Sequence, residues 1–277
     1  MIDSFLASLP IEMFQYGFMR NAFLASVLIA PLFALLGTMA VNNRMAFFSD
    51  ALGHSAFTGI ALGVLMGMDE PLLSMLAFGI FLGLAITKVK NAAPLSSDTV
   101  ISVFSSTAMA LGIVVLTGQG GFAKYSVYLV GDILTVTQGD IALLVIALIV
   151  FAIAWGFLYQ KLLLVSVNRT WAASRGVRVV LVENIFVVMV AVAVMISIRM
   201  IGILMINSLL ILPAAAARNV TGSVASYHRV AVLFSLLSSI GGLWMAFAFG
   251  TSAGAAMVLS AAVIFFLSYL YGTLRKA

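Results

Sequence analysis

The sequence of 277 residues is 64% hydrophobic and 8% charged, with a mean hydropathy of +1.21. A soluble chain would need about a quarter of its positions charged to cover its surface, which excludes water as the main solvent. The net charge of +5 comes from Lys and Arg scattered between apolar runs, not from a basic stripe with exposed aromatics, which excludes a nucleic-acid partner; with no Cys, a disulfide framework and a thiolate metal cluster are excluded too.

In chain order, residues 1–17 are too few and too polar to span a bilayer. Phe5, Leu6, Leu9, Ile11, Met13 and Phe14 suit a helix lying at the interface, with a disordered tail as the alternative. Asp3 and Glu12 stand where a cleaved signal peptide would carry basic residues, so the segment is expected to stay in the mature protein. Apolar stretches of about 17 to 25 residues then follow, each long enough to cross about 30 Å of hydrocarbon as helix. They read as Phe18–Val41, Ala46–Met66, Pro71–Ile86, Thr99–Leu116, Ile141–Tyr159, Val179–Ile198, Gly202–Ala217, Val230–Phe249 and Ala253–Tyr271. The seventh is short and holds Pro213, which predicts a broken or re-entrant segment and leaves the total at eight or nine. The fold class is therefore an all-α polytopic integral membrane protein, with residues 1–277 as a single transmembrane domain.

With nine alternating spans, Arg44, Lys88, Lys90, Lys161, Arg169, Arg175, Arg178, Arg218, Arg229, Arg275 and Lys276 fall on one side, which the positive-inside bias makes cytoplasmic. Asp3, Glu12, Asp69, Glu70 and Asp132 fall on the other, with Arg20, Lys124 and Arg199 as basic exceptions. The N-terminus is then outside and the C-terminus inside.

The second span carries Asp50 and His54, a carboxylate and an imidazole one helical turn apart on one face. Counted from Arg44, His54 lies about 15 Å along the axis, near the bilayer centre, where a charged group costs about 2.5 to 3.5 kcal/mol and marks a functional site. Nitrogen with oxygen suits zinc, and also manganese when waters complete the shell; two ligands make a site weak enough to release its ion. An Asp–His hydrogen bond between helices and a proton relay are the alternatives, and spacing alone does not decide among them. Ser55, Gly59, Gly63 and Gly67 form a small-residue ladder that lets another helix come close.

Other candidates have plainer readings. Asp98, Asp140 and Glu183 stand near span starts, where carboxylates cap amides and complement the dipole. Glu70 and Asp69 precede Pro71 in a solvated turn, and His228 is placed in a basic loop, not as a ligand. Asn207 and Ser208 read as interhelical hydrogen-bonding groups, and the fifteen Met residues show no clustered pair that would form a copper path. Gly53-His54-Ser55-Ala56-Phe57 fails as a nucleophile elbow, since Phe57 stands where glycine belongs and no separate base is present.

Arg44-Met45 followed by Asp50, His54 and Gly59 resembles the metal-uptake ABC permeases of the zinc and manganese type. Ser97-Asp98-Thr99-Val100-Ile101 opens the fourth span as members of that family do. Tyr128-Leu129-Val130-Gly131-Asp132-Ile133-Leu134 is similar to their tyrosine-leucine-phenylalanine-glycine-aspartate segment, with Val130 in place of phenylalanine, and Gly202 to Arg218 resembles their glycine to proline-alanine-rich helix. The resemblance implies the permease subunit of an ATP-driven importer in the bacterial cytoplasmic membrane, a homodimer bound to a separate ABC ATPase and served by an extracytoplasmic metal-binding protein. It makes Asp50 and His54 the metal-binding pair, with zinc preferred over manganese or iron as the transported ion and no permanently bound cofactor.

The chain holds no Gly-x-x-x-x-Gly-Lys-[Ser/Thr] phosphate loop, so it is not itself expected to be an enzyme. The basic stretch 161–178 contains a short helix expected to be capped by Asn168 and ended by Gly176. By the resemblance it is the coupling region facing the ATPase, with Asn168, Arg169, Trp171, Ala172, Arg175 and Gly176 as its residues, although the acidic residues usual in the family are missing. A basic loop at the lipid surface is the alternative there. For the whole chain, the alternative is a secondary transporter that exchanges protons for a cation at the same Asp50 and His54 pair.

Overall fold

Lipid cannot hydrogen-bond a backbone, so a chain this apolar must satisfy its amides within each segment. A computed structural model of the protein describes residues 6–275 except 9, 69, 93, 94, 120, 121 and 126; Asp3, Phe5, Leu9, Asp69 and Lys276, named above, lie outside that set. The described residues are helical, without strands. Among them, nine long helices and one short one position the site: α1 (Gly17–Asn42), α2 (Phe48–Leu65), α3 (Leu72–Ala92), α4 (Ser97–Gly118), α5 (Gln138–Val167), the short α6 (Arg169–Ser174), α7 (Val179–Ile201), α8 (Ile203–Val220), α9 (Val224–Phe249) and α10 (Ala253–Leu274). Seven are long and apolar enough to cross a membrane by length and composition; α2 and α8, at 18 residues each, are shorter and more polar. The nine long helices match the nine apolar stretches read from the sequence, with ends shifted by up to eight residues.

The chain divides into two compact units. One contains Met1–Thr38, Val130–Leu148 and Arg199–Ala277. In it α8, α9 and α10 pack on one another. Among its described N-terminal residues, Glu12–Gln15 form a 3-10 turn that buries Met13 and Phe14. Phe14 meets Phe23 of α1 edge-on at 5.0 Å, and Arg20 donates to the Phe14 carbonyl at 2.9 Å, so this turn is tied to α1 and is not a loose tail. Two sequence expectations change here. Pro213 is buried inside a continuous α8, so the seventh stretch is not broken at the proline. His228 is not in a loop: Ser223 and Ser226 form a capping box that starts α9 before it, and the ring is buried with its Nδ1 2.8 Å from Thr38 Oγ1. In the same unit Gly131 and Gly202, both with positive φ, bring their backbones into direct contact, where neither position has room for a Cβ.

The other unit contains Met39–Leu129 and Ile149–Ile198. Its centre is α2, packed on both α3 and α4. A Cβ on Gly59 would lie 2.6 Å from Met75 Cα of α3, and one on Gly112 of α4 would lie 2.5 Å from Thr58 N of α2, so glycine permits both approaches. Thr58 also donates its hydroxyl to the Ala108 carbonyl of α4. Gly59 and Gly63 thus work as the ladder predicts. Gly67 does not: it lies beyond the helix in the left-handed region, where it helps end α2. Arg44, at the turn between α1 and α2, has φ of 55° and is the one non-glycine with positive φ among the described residues. That conformation costs about 1 to 2 kcal/mol for an L-residue.

Candidate metal-transport site

Asp50 and His54 share one face of α2, with His54 Nε2 3.4 Å from Asp50 Oδ2. Because α2 starts at Phe48, Asp50 sits in its first turn and His54 about 9 Å inside, shallower than the sequence count suggests. A carboxylate in a first turn is favoured by the helix dipole, which offsets part of the cost of keeping it charged in an apolar surrounding. The two side chains are 40% and 21% exposed, and both open onto a cleft of about 240 Å³ between α2 and α4. Two ligands each about 2.1 Å from one ion at a tetrahedral angle stand about 3.4 Å apart, so the observed separation suits joint chelation. The same distance is ordinary for a polar pair one turn apart, so the cleft is the more telling observation.

The wall facing this pair is made by Ser102, Ser105 and Ser106 of α4, with Met109 beside them. Sequence reasoning passes these serines over. Hydroxyls inside apolar helices usually bond back to their own backbone. Ser26, Ser55, Thr87 and Ser238 do so, at 2.8, 2.6, 3.0 and 3.0 Å. The three serines of α4 make no hydrogen bond among the described residues, which leaves three neutral oxygens facing the cleft. The signal in the sequence is their spacing, i, i+3 and i+4 on one helix face. His54 Nδ1 is buried and unpartnered as well. A resident metal site normally fixes its imidazole through that second nitrogen, so this ring is held less firmly than a structural ligand would be. No cluster of three or more His, Cys, Asp or Glu is present among the described residues. The cleft thus presents a carboxylate, an imidazole and three hydroxyls.

The short helix α6 forms where the sequence places it. The Asn168 side chain accepts from Trp171 N at 2.9 Å, and Gly176 takes φ of 79° just past the end. The stretch expected as a loop from Lys161 is helical as far as Val167, where α5 ends. Ala172 is fully buried, while Trp171 and Arg175 are exposed and stacked, guanidinium over indole at 5.1 Å. Arg169 joins α6 to two spans: it meets Glu183 Oε2 of α7 at 3.0 Å and donates to Asn91 Oδ1 of α3 at 3.0 Å, and Asn91 donates to the same Glu183 oxygen at 3.2 Å. Glu183 is therefore an ion-pair partner and not the cap its position suggests. Asp140 is a cap, accepting from Thr137 N at 2.9 Å, and Asp98 lies in the first turn of α4, which Ser96 caps. Asp50 and His54 form one cluster, and the residues around α6 form a second.

Residues 15–272 match the ABC 3 transport family. The chain is 29% identical to the manganese transport system membrane protein MntC of Listeria innocua, over 93% of this chain and 91% of that one. It is 30% identical to the high-affinity zinc uptake system membrane protein ZnuB of Haemophilus influenzae, over 89% of this chain and 95% of that one. Its fold matches the solved PsaBC from Streptococcus pneumoniae in complex with Fab with a TM-score of 0.82 and 25% identity, covering 97% of this chain and 95% of that one. With its run of apolar helices, this makes it a multi-pass protein of the bacterial cytoplasmic membrane. The chain belongs to the ABC 3 transport family, as a permease of the zinc and manganese type that its motifs from Arg44 to Arg218 resemble.

Proposed function

We propose that the chain, acting over residues 1–277 as one permease domain, carries zinc or manganese ions across the membrane, with Asp50 and His54 as the transient ligands. The observation that carries this reading is the carboxylate–imidazole pair opening on a cleft whose far wall offers three unbonded hydroxyls. Nitrogen and carboxylate oxygen displace part of the ion's hydration shell, and Ser102, Ser105 and Ser106 hold the waters that remain. Two ligands with a loosely held imidazole bind an ion for a short time, as passage requires. Family membership favours ATP hydrolysis on a separate ABC ATPase over proton exchange as the driving force. The α6 region, with Asn168, Arg169, Trp171, Arg175 and Gly176 exposed and Ala172 buried beneath them as its anchor, is the surface that meets this ATPase, and the triad of Arg169, Glu183 and Asn91 passes its movement to α3 and α7. A metal-binding protein delivers the ion from outside, and a second copy of the chain completes the pathway.

Uptake of radioactive zinc and manganese by cells carrying Asp50→Ala or His54→Ala tests the assignment. Both variants, inserted at normal levels, are expected to lose uptake; unchanged uptake would show that the pair is not the ion's path. Limiting each metal in turn identifies the favoured ion. Metal transport by the purified chain alone in proton-loaded liposomes would overturn the ATP-driven reading.

A further inference from the structure

A second polar cavity, of about 410 Å³, lies in the same unit where α1 ends and α4, α6 and α7 begin. Its lining holds three cations, Arg44, Lys90 and Arg169, against a single carboxylate, Glu183. Arg169 already neutralises Glu183 at 3.0 Å. Among the described residues, Arg44 makes no ion pair or hydrogen bond through its side chain and Lys90 has no ion pair within 4.0 Å, so the cavity keeps an excess of positive charge. Neutral donors accompany the cations, the amide of Asn42 and the hydroxyl of Ser97, at the amino end of α4, where backbone amides favour an anion.

The conformation of Arg44 points the same way. It occupies the left-handed position that closes α1, with Met45 N bonded to the Ala40 carbonyl at 2.9 Å, a place where glycine is the unstrained choice. A side chain kept at a strained backbone position is kept for what it reaches, and this one reaches the cavity. The cavity lies at the ends of the spans that the positive-inside bias assigns to the cytoplasmic side.

We propose that this cavity binds the phosphate group of an anionic phospholipid, with Arg44 and Lys90 as its principal contacts. Amide and hydroxyl donors beside Arg44 and Lys90 suit a phosphate oxyanion, and basic pockets between spans on the cytoplasmic side are where such headgroups dock. The site is independent of the pair on α2.

Native mass spectrometry of the full chain taken from phosphatidylglycerol nanodiscs and from phosphatidylcholine nanodiscs tests this. The wild-type protein is expected to retain phosphatidylglycerol, and Arg44→Gly and Lys90→Gln to retain about tenfold less. Arg44→Gly relieves the backbone, so its thermal midpoint should be no lower than wild type and loss of lipid cannot be ascribed to unfolding. In a second arm, millimolar inorganic phosphate is added in phosphatidylcholine. A thermal shift there that both variants abolish, without lipid retention in the first arm, would overturn the lipid assignment and give the oxyanion site to free phosphate. Equal retention by wild type and both variants overturns the proposal, as does loss of ATPase association in the variants with lipid retention unchanged, which would make the cavity part of the protein interface.

Discussion

Helices α2 and α5 show opposite ways of living in a membrane. α5 is the most apolar span, with a mean hydropathy of 3.0 over its best window, yet little of it is buried, and Ile146, Ile149, Val150, Ile153 and Phe157 face outward. α2 carries Asp50, His54, Ser55 and Thr58 and falls short of the hydropathy of a plain span, yet most of it is buried, packed against α3 and α4. In water the most hydrophobic segment would form the core. In lipid, hydrophobicity marks contact with solvent, and the polar, glycine-bearing helix is the one enclosed by protein.

Four substitutions sharpen this contrast, and the largest effect belongs to the pair of Asp50 and His54. Asp50→Asn keeps the shape and removes the charge, and metal uptake is expected to fall at least about tenfold, the lower bound for disturbing a metal ligand's surroundings; uptake within about twofold of wild type would mean that α2 is buried for packing alone. Gly112→Leu forces α2 and α4 apart and should destabilise the protein by about 1 to 3 kcal/mol, read as a lower thermal midpoint in detergent. Asn168→Ala removes the cap of α6 and should cost about 1 kcal/mol, seen as faster amide exchange at Trp171, with a matching loss of ATP-driven uptake if α6 transmits the ATPase stroke. At the small end, Ile153→Ala on α5 exchanges one lipid-facing aliphatic for another and should shift stability by no more than about 0.5 kcal/mol. A large loss there would mean that the outward face of α5 meets protein, as it would if a second copy of the chain docked on it.

Features set by neighbours along the chain are legible in the sequence itself. Asn168 and Gly176 bracket a helix through their own side-chain and backbone preferences, and Asp50 and His54 share a face by the helix repeat alone. What depends on distant partners is not. Arg218 and Arg229 flank His228 and suggest a loop, although Ser223 and Ser226 already signal a helix start. Pro213 suggests a break because a proline removes an amide donor, but α8 continues through it with neighbours packed around. Ser102, Ser105 and Ser106 look ordinary until α2 places a carboxylate opposite them. Gly67 fits a four-residue ladder by count, and only its backbone angle shows that it ends the helix.

The contact of Gly131 with Gly202 makes two distant positions behave as one locus. A methyl group at either site has to part the same two backbones, so once the first is present the second meets a gap already opened. The penalties should then add to less than their sum, an epistasis between residues seventy-one positions apart. Among natural variants the two glycines should be lost together or not at all.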